Sequence, residues 1–366
     1  MSDDATAHSS GAPAWSSALH PTHCAKCRAT FLIPSNAGAP FCPNCFAARL
    51  EPIPQLERAA APELILPFTV ADATRDANLE RWQRDIPFKA RSLNLKELHA
   101  RLTRVFLPMY LADASVWGTW SAQMGFDYLV ASSEERYNSG QWVTQRINET
   151  RIRWETRAGE IARKYENVPA PALENHERVM AALGDGNALP FDTTRALGFS
   201  SDGLNNALVR MPDLTPKAAT KSAQLEMERR AANECQIASG AQHHEQFSLR
   251  AAFGEPNWTL MLLPMYVTSY SDDNGKWIPL RVNGQTGFVS GEKRASMKVA
   301  RRWALLLGAI ALLAFLFTTF IALTSILVPP MVTVAVVLLC LTLALCLAAP
   351  APLIIAWQYN RQNSSK

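Results

Sequence analysis

Apolar and polar positions change character several times along the chain. Residues 1–19 show no period, only Ser, Ala and Asp around Trp15, which predicts a disordered tail that cannot bury a core. Residues 20–50 are punctuated by paired cysteines. Pro52, Pro54 and Pro62, with Ala59 to Ala61, then predict a stiff, extended linker over 51–62. From 63 to 291 helix and strand patterns alternate, and two uninterrupted apolar runs, 304–328 and 331–357, follow.

Within 63–291 the run Glu63 to Val70 predicts an edge strand, because Pro67 cannot donate to a ladder, and Ala71 to Ile86 predicts a helix. Val105 to Tyr110 and Ser115 to Gln123 predict a β-hairpin. Thr150 to Arg157 alternates, with Ile152, Trp154 and Thr156 on one face against charged residues on the other, so a half-buried strand is expected, turned by Gly159. Leu173 to Leu183 and Pro216 to Ala238 predict helices. Asn274-Gly275 and Asn283-Gly284 lie between apolar segments as two-residue hairpin turns require, giving a three-stranded meander over 258–290. Leu-Pro-Met-Tyr occurs at Leu107 to Tyr110 and again at Leu263 to Tyr266, which suggests two related β units.

The terminal runs hold 25 and 27 residues without a charge, about 37 and 40 Å of helix, enough to span a bilayer with tilt. Pro329-Pro330 separates them and predicts a helical hairpin over 303–357. A basic juxtamembrane segment, 292–302, precedes it with Lys293, Arg294, Lys298, Arg301 and Arg302. Arg361 and Lys366 lie in the tail, 358–366, and the turn between the helices has no cation. Both ends should therefore face the cytoplasm across the inner membrane, with Trp303 and Trp357 at its surface.

Charge alters the picture of possible partners. Seven of the 36 Lys and Arg lie in 293–366, which has no acid, leaving 29 basic against 32 acidic residues in 1–292. The soluble part is thus slightly acidic, which disfavours nucleic acid as its partner. Cys24-Ala-Lys-Cys27 and Cys42-Pro-Asn-Cys45 are two CxxC knuckles 14 residues apart, the spacing at which four thiolates meet round one ion. Zinc is the default, and iron in a rubredoxin-like site is the rival. His20 and His23 flank the first knuckle as surface or supporting residues. Arg28 and Phe46 follow the knuckles where many ribbons have Gly, so less regular turns are expected. No phosphate-binding loop surrounds Gly275-Lys276, Ser271 to Gly275 lacks the acids of a calcium loop, and His243-His244-Glu245 reads as polar surface. Arg146, Arg151, Arg153 and Arg157 are interleaved with Glu149, Glu155 and Glu160 as a solvated face.

The knuckles, together with Leu66-Pro67-Phe68, Phe106 to Tyr110, Arg153-Trp154, Leu263 to Tyr266 and the stretch VNGQTGFVSG from Val282 to Gly291, resemble a group of bacterial membrane-anchored zinc-ribbon proteins. These are often termed primosomal-helicase-like or transcription-factor-IIB-type. The resemblance spans most of residues 20–302. It implies a multidomain α+β chain with an N-terminal zinc ribbon, a β-rich α+β cytosolic domain over 63–291 and a C-terminal two-helix transmembrane hairpin. Its implied role is a non-catalytic adaptor, bound to the bilayer and to a cytosolic or membrane-associated protein such as a flotillin-like or membrane-stress scaffold. A tethered nucleic-acid-binding ribbon is the alternative, and an enzyme has no motif in its favour.

Overall fold

In a computed structural model the described residues are 15, 19–36, 38, 40–54, 61–138, 140–184, 189–324 and 331–363. The expected disordered tail lies almost wholly outside them, as do the middle of the linker, the Pro329-Pro330 turn and the last three residues. Strands and helices are mixed, with a large sheet, and the chain divides into two compact units.

The first unit comprises residues 1–107, 175–211 and 262–366. Its sheet runs in the order β12-β11-β10-β5-β8-β2-β1-β3. The strands are β1 (Leu19–His23), β2 (Thr30–Pro34), β3 (Glu51–Pro52), β5 (Thr103–Asn138), β8 (Leu208–Arg210), β10 (Asn257–Ser271), β11 (Trp277–Asn283) and β12 (Val289–Gly291). The expected edge strand at 63–70 is only β4 (Leu64–Ile65), paired with β7 (Leu197–Gly198). Leu32, Phe106, Val209 and Leu262 form one core cluster of this sheet, and Tyr270, Ile278 and Leu280 contribute to another with Leu93 and Leu98. The helix α1 (Asp72–Arg84) matches its expectation, with Asp72 in the first turn and Arg81 and Arg84 in the last, each complementing the helix dipole. Buried Arg75 holds Asp72 and Asp76 at 2.7 and 3.0 Å and lies over the Tyr266 ring. A short helix, α2 (Leu95–Ala100), is capped by Asn94, whose carbonyl oxygen accepts from the Glu97 amide.

The meander of β10, β11 and β12 forms as the turn chemistry predicts, but neither turn is a two-residue loop. Between β10 and β11 the Asp272 carboxylate accepts from Asn274 and Lys276 amides and Gly275 takes φ 79°, a longer turn closed by a left-handed Gly. After β11 the Asn283 side chain accepts from Gln285 and Thr286, and the left-handed position is Gly287 instead of Gly284.

The second unit comprises residues 108–174 and 212–261. Here the expected hairpin over 105–123 does not form: both apolar runs belong to the one 36-residue strand β5. Its partner is β6 (Gln141–Pro171), and the pairing is continuous from Asn138↔Gln141 to Ala114↔Tyr165. The true turn surrounds Gly140 at φ 93°. Gly159 turns nothing. It sits mid-strand, where a Cβ would meet the Trp120 indole at 3.0 Å. Helix α3 (His176–Ala181), shorter than the expected 173–183, falls in the first unit. α4 (Pro216–Ala238) ends where expected, with Thr215 as N-cap and Pro216 at the first turn. Ala219, Ala223, Met227, Ala231 and Cys235 recur every four residues on its buried face, a stripe of mostly small side chains that lies close against Ala112, Ala114 and Ala170 of the sheet. β9 (His243–Phe253) pairs the far side of β5 only as far as Gly125↔His243.

Two apolar helices follow the meander in the first unit, α5 (Met297–Thr324) and α6 (Met331–Ala348), the latter continued by α7 (Ala351–Asn363) after a break at Pro350. Each hydrophobic span is long enough to cross a membrane, and protein covers only 11% and 6% of the two apolar windows. A buried hairpin of a soluble core would be covered instead. The helices touch through Thr318 and Thr342, hydroxyls 3.0 Å apart, and through Ala300 and Ala356, small residues that allow close approach. The juxtamembrane segment is not a free basic string. α5 begins at Met297, Lys293 pairs with Asp85 at 3.6 Å, Arg294 with Glu292 and Asp272, and Lys298 binds Asp273. Arg301 and Arg302 remain exposed.

Candidate metal centre

The ribbon begins with β1 and β2, whose antiparallel pairing joins Leu19↔Pro34 to His23↔Thr30. A buried hydrogen bond from Thr22 Oγ1 to Phe31 O fixes it internally. Each knuckle then closes in the same way. The amide of Arg28 donates to Cys24 O and that of Phe46 to Cys42 O, both at 2.8 Å, and the cysteine amides donate forward to Ala29 O and Ala48 O. Arg28 and Phe46 adopt φ 59° and 54°, the left-handed region that glycine occupies most easily. The turns are therefore regular despite the missing glycines, with strain of about 1–2 kcal/mol per residue carried by the backbone.

These turns bring the four cysteine sulfurs within 4.8 Å of one another. Cys24 Sγ lies 3.6 Å from Cys45 Sγ, and Cys27 Sγ 3.6 Å from Cys42 Sγ. A tetrahedron with metal–sulfur bonds near 2.3 Å has edges of about 3.8 Å, so the donor set fits one tetrahedral ion. Cys24 and Cys42 are fully buried, all four thiols are free of disulfides, and Asn44 Nδ2 donates to Cys27 Sγ at 3.5 Å, support that the spacing alone does not reveal. Among the described residues no other group of His, Cys, Asp or Glu converges in this way. His20 and His23 sit on β1 opposite Ile33 and Thr30, outside the sulfur cluster.

The thiols are unequal. Burial pushes Cys24 up, but amide hydrogen bonds from Cys27 and Lys26, with the Cys45 and Cys27 thiols, outweigh it and bring it down to about 7. Burial raises Cys42 strongly and Cys45 as well, in spite of amide hydrogen bonds to each. Only a cation supplied to the cluster makes all four thiolates compatible with burial.

Set against known proteins, the chain matches no family model, no curated protein and no solved structure.

The cysteine-bearing segment is not set apart by the linker that follows it: β2 pairs with β8 through Phe31↔Arg210 and Leu32↔Val209, so it shares the sheet of the first unit. The Arg210 guanidinium is buried over the Phe31 ring and donates to Thr30 O at 3.0 Å. His243 and His244 are not a metal pair. His243 bonds Asp127 at 2.9 Å, and the neighbouring strand residue faces away. The interleaved arginines pair with their own strand's acids, Arg151 with Glu149 and both Arg153 and Arg157 with Glu155, as a solvated face should.

Proposed function

We propose that the protein is a zinc-stapled adaptor anchored in the inner membrane, both termini cytoplasmic, that presents a β-arm to another protein. Cys24, Cys27, Cys42 and Cys45 hold the zinc, a closed four-sulfur shell whose role is to complete the fold. Both helices of the terminal hairpin cross the bilayer, and the cations beside α5 together with Arg361 keep the ends on the cytoplasmic side.

The observation that carries the adaptor reading is the arm formed by the distal halves of β5 and β6. It exposes large apolar residues where a free ribbon would be polar: Leu129 is 71% exposed, Tyr137 63% and Trp142 70%, the last two rings meeting edge-on at 5.3 Å. Exposed rigid aromatics of this kind anchor protein interfaces, and the five arginines of residues 126–157 are matched by five acids, which leaves no net cationic footprint for nucleic acid. The test is a photo-crosslinking amino acid at Leu129 or Tyr137 of the full chain in its native membrane, with products identified by mass spectrometry. One recurrent heterologous protein, lost on Trp142→Ser, is the expected result. Products that are only nucleic acid or only lipid would overturn the adaptor reading.

A further inference from the structure

The outer edge of β6 is open. This strand runs for 31 residues and pairs with β5 on one side, and among the described residues no strand meets the other side. Such an edge is a row of unpaired amides and carbonyls ready to accept another strand. Beyond Gly125 the arm has only two strands, since β9 stops there, and an isolated two-stranded ribbon is marginal in water. α4 lies on the face of this sheet through Ala223, Met227 and Ala231, and its Glu234 pairs with Arg163 of β6 at 3.4 Å.

Six of the ten charges between Arg146 and Glu166 are placed with opposite sign about Thr156. Glu155 mirrors Arg157, Glu149 mirrors Arg163, and Arg146 mirrors Glu166. We infer that β6 is a homodimerisation edge: two copies of the chain join β6 to β6 antiparallel about a twofold axis through Thr156, from Arg146 to Glu166. In that register every one of these ions faces an opposite charge of the other copy, each contact occurs twice, and no like charges stand directly opposite. The neighbouring registers are repelled. Moving the axis to Trp154 or Glu155 sets Arg157 against Arg151 or Arg153, and moving it to Arg157 or Ala158 sets Arg163 against Arg151 or Arg153. Asn167, in a left-handed conformation, and Pro169 and Pro171, which lack amides, end the edge just past Glu166.

The inference is independent of the metal and of the adaptor's partner, because it rests on the edge of β6 between Arg146 and Glu166 and not on the exposed side chains Leu129, Tyr137 and Trp142. Its test uses the full chain in native membranes with Cys340 and Cys346 replaced by Ala. Thr156→Cys places two thiols on the axis and should give a covalent dimer with a short bis-thiosulfonate reagent, containing this chain alone. Thr150→Cys is the control, since it would face residue 162 and lie about 40 Å from its own counterpart. In the Thr156→Cys background, Glu155→Arg or Arg157→Glu should each cut the dimer yield at least tenfold. The two together restore the pairing and the yield, which separates lost register from lost folding. Equal yields at 156 and 150, linkage at 156 to a different protein, or failure of the double exchange to recover the dimer would overturn the proposal.

Discussion

Metal removal should destabilise the whole first unit and not the ribbon alone. A segment of about 30 residues cannot bury enough surface to fold by itself, so without the ion β1 and β2 lose their support. The cost then spreads through β2. Phe31 and Ile33 are 1% exposed and Leu32 3%, and each buried side chain of this size contributes about 1.5–3 kcal/mol, or about 5–9 kcal/mol for the three. Buried Arg210 also loses the Thr30 carbonyl, at about 1–3 kcal/mol. Domains are stable by about 5–15 kcal/mol, so this loss is comparable to the whole. Hydrogen exchange on the full chain in lipid nanodiscs, with and without a strong chelator, reads it. The reporter is the Met211 amide, outside the ribbon but donating to Thr30 O at 2.9 Å. It should exchange about a thousandfold faster or more in chelator, and equally so in Cys42→Ser. A Met211 amide that stays protected while the knuckle amides of Arg28 and Phe46 open would refute the shared sheet and restore an independent ribbon.

Arg28→Gly should raise the stability of the metal-loaded ribbon by about 1 kcal/mol, because glycine takes φ 59° without strain; a thermal shift of the ribbon transition measures it. Zinc affinity should climb steeply with pH. Cys42 and Cys45 hold their protons at neutral pH, so binding must expel at least these two, and competition with a chromophoric chelator should show a gain of about a hundredfold or more per pH unit. Cys24 runs the other way in the metal-free chain: its pKa is depressed from 9.0 to about 7, so its contribution is present above the unfolded value and is lost as pH falls through about 7. Asn360→Ala strips the Ala295 amide and carbonyl of partners at 2.8 and 3.0 Å, which should cost about 2–4 kcal/mol and open the segment 292–296 to protease.

The sequence was most legible where chemistry is local. CxxC spacing located the sulfur cluster, the long chargeless runs located the membrane-length helices, and the pattern of Pro216 to Ala238 located α4. Longer-range features were hidden. β5 and β6 read as broken because beyond Gly125 both faces of their ribbon meet solvent, so the apolar alternation that marks a strand survives only at Thr150 to Arg157, where Ile152 and Trp154 are nevertheless exposed; the left-handed Gly140 marks the turn. Nothing near Phe31 or Leu32 says that their strand continues into β8, 180 residues away in sequence, since a buried apolar triplet looks the same in an isolated ribbon as in a wide sheet. Likewise the pairing of Arg294 with Asp272 and of Lys298 with Asp273 depends on where the 272–276 turn arrives, and that of Lys293 on Asp85 just after α1, so a basic string before a membrane-length helix overstated the charge left unpaired.

The edges of the two units are managed differently, and the difference bears on assembly. In the first unit the sheet ends in β3, two residues long, and β12, three residues long. The ribbon fills one margin, while the meander at the other is tied to the first of the two membrane-length helices: Asp273 accepts from Ser296 Oγ and the Lys298 amide at the start of α5. Short margins of this kind resist strand addition. In the second unit β9 is interrupted by left-handed Gln246, with a register shift opposite Ser121 and Gln123, a bulge that protects an edge. β6 has neither device from Gln141 to Tyr165. Charges alone could protect it, but cations of one sign would do that best, whereas six of its ten charges from Arg146 to Glu166 are mirrored with opposite sign about Thr156. A strand left uniquely long among these margins, unbulged and self-complementary in charge is one arranged to meet its own copy.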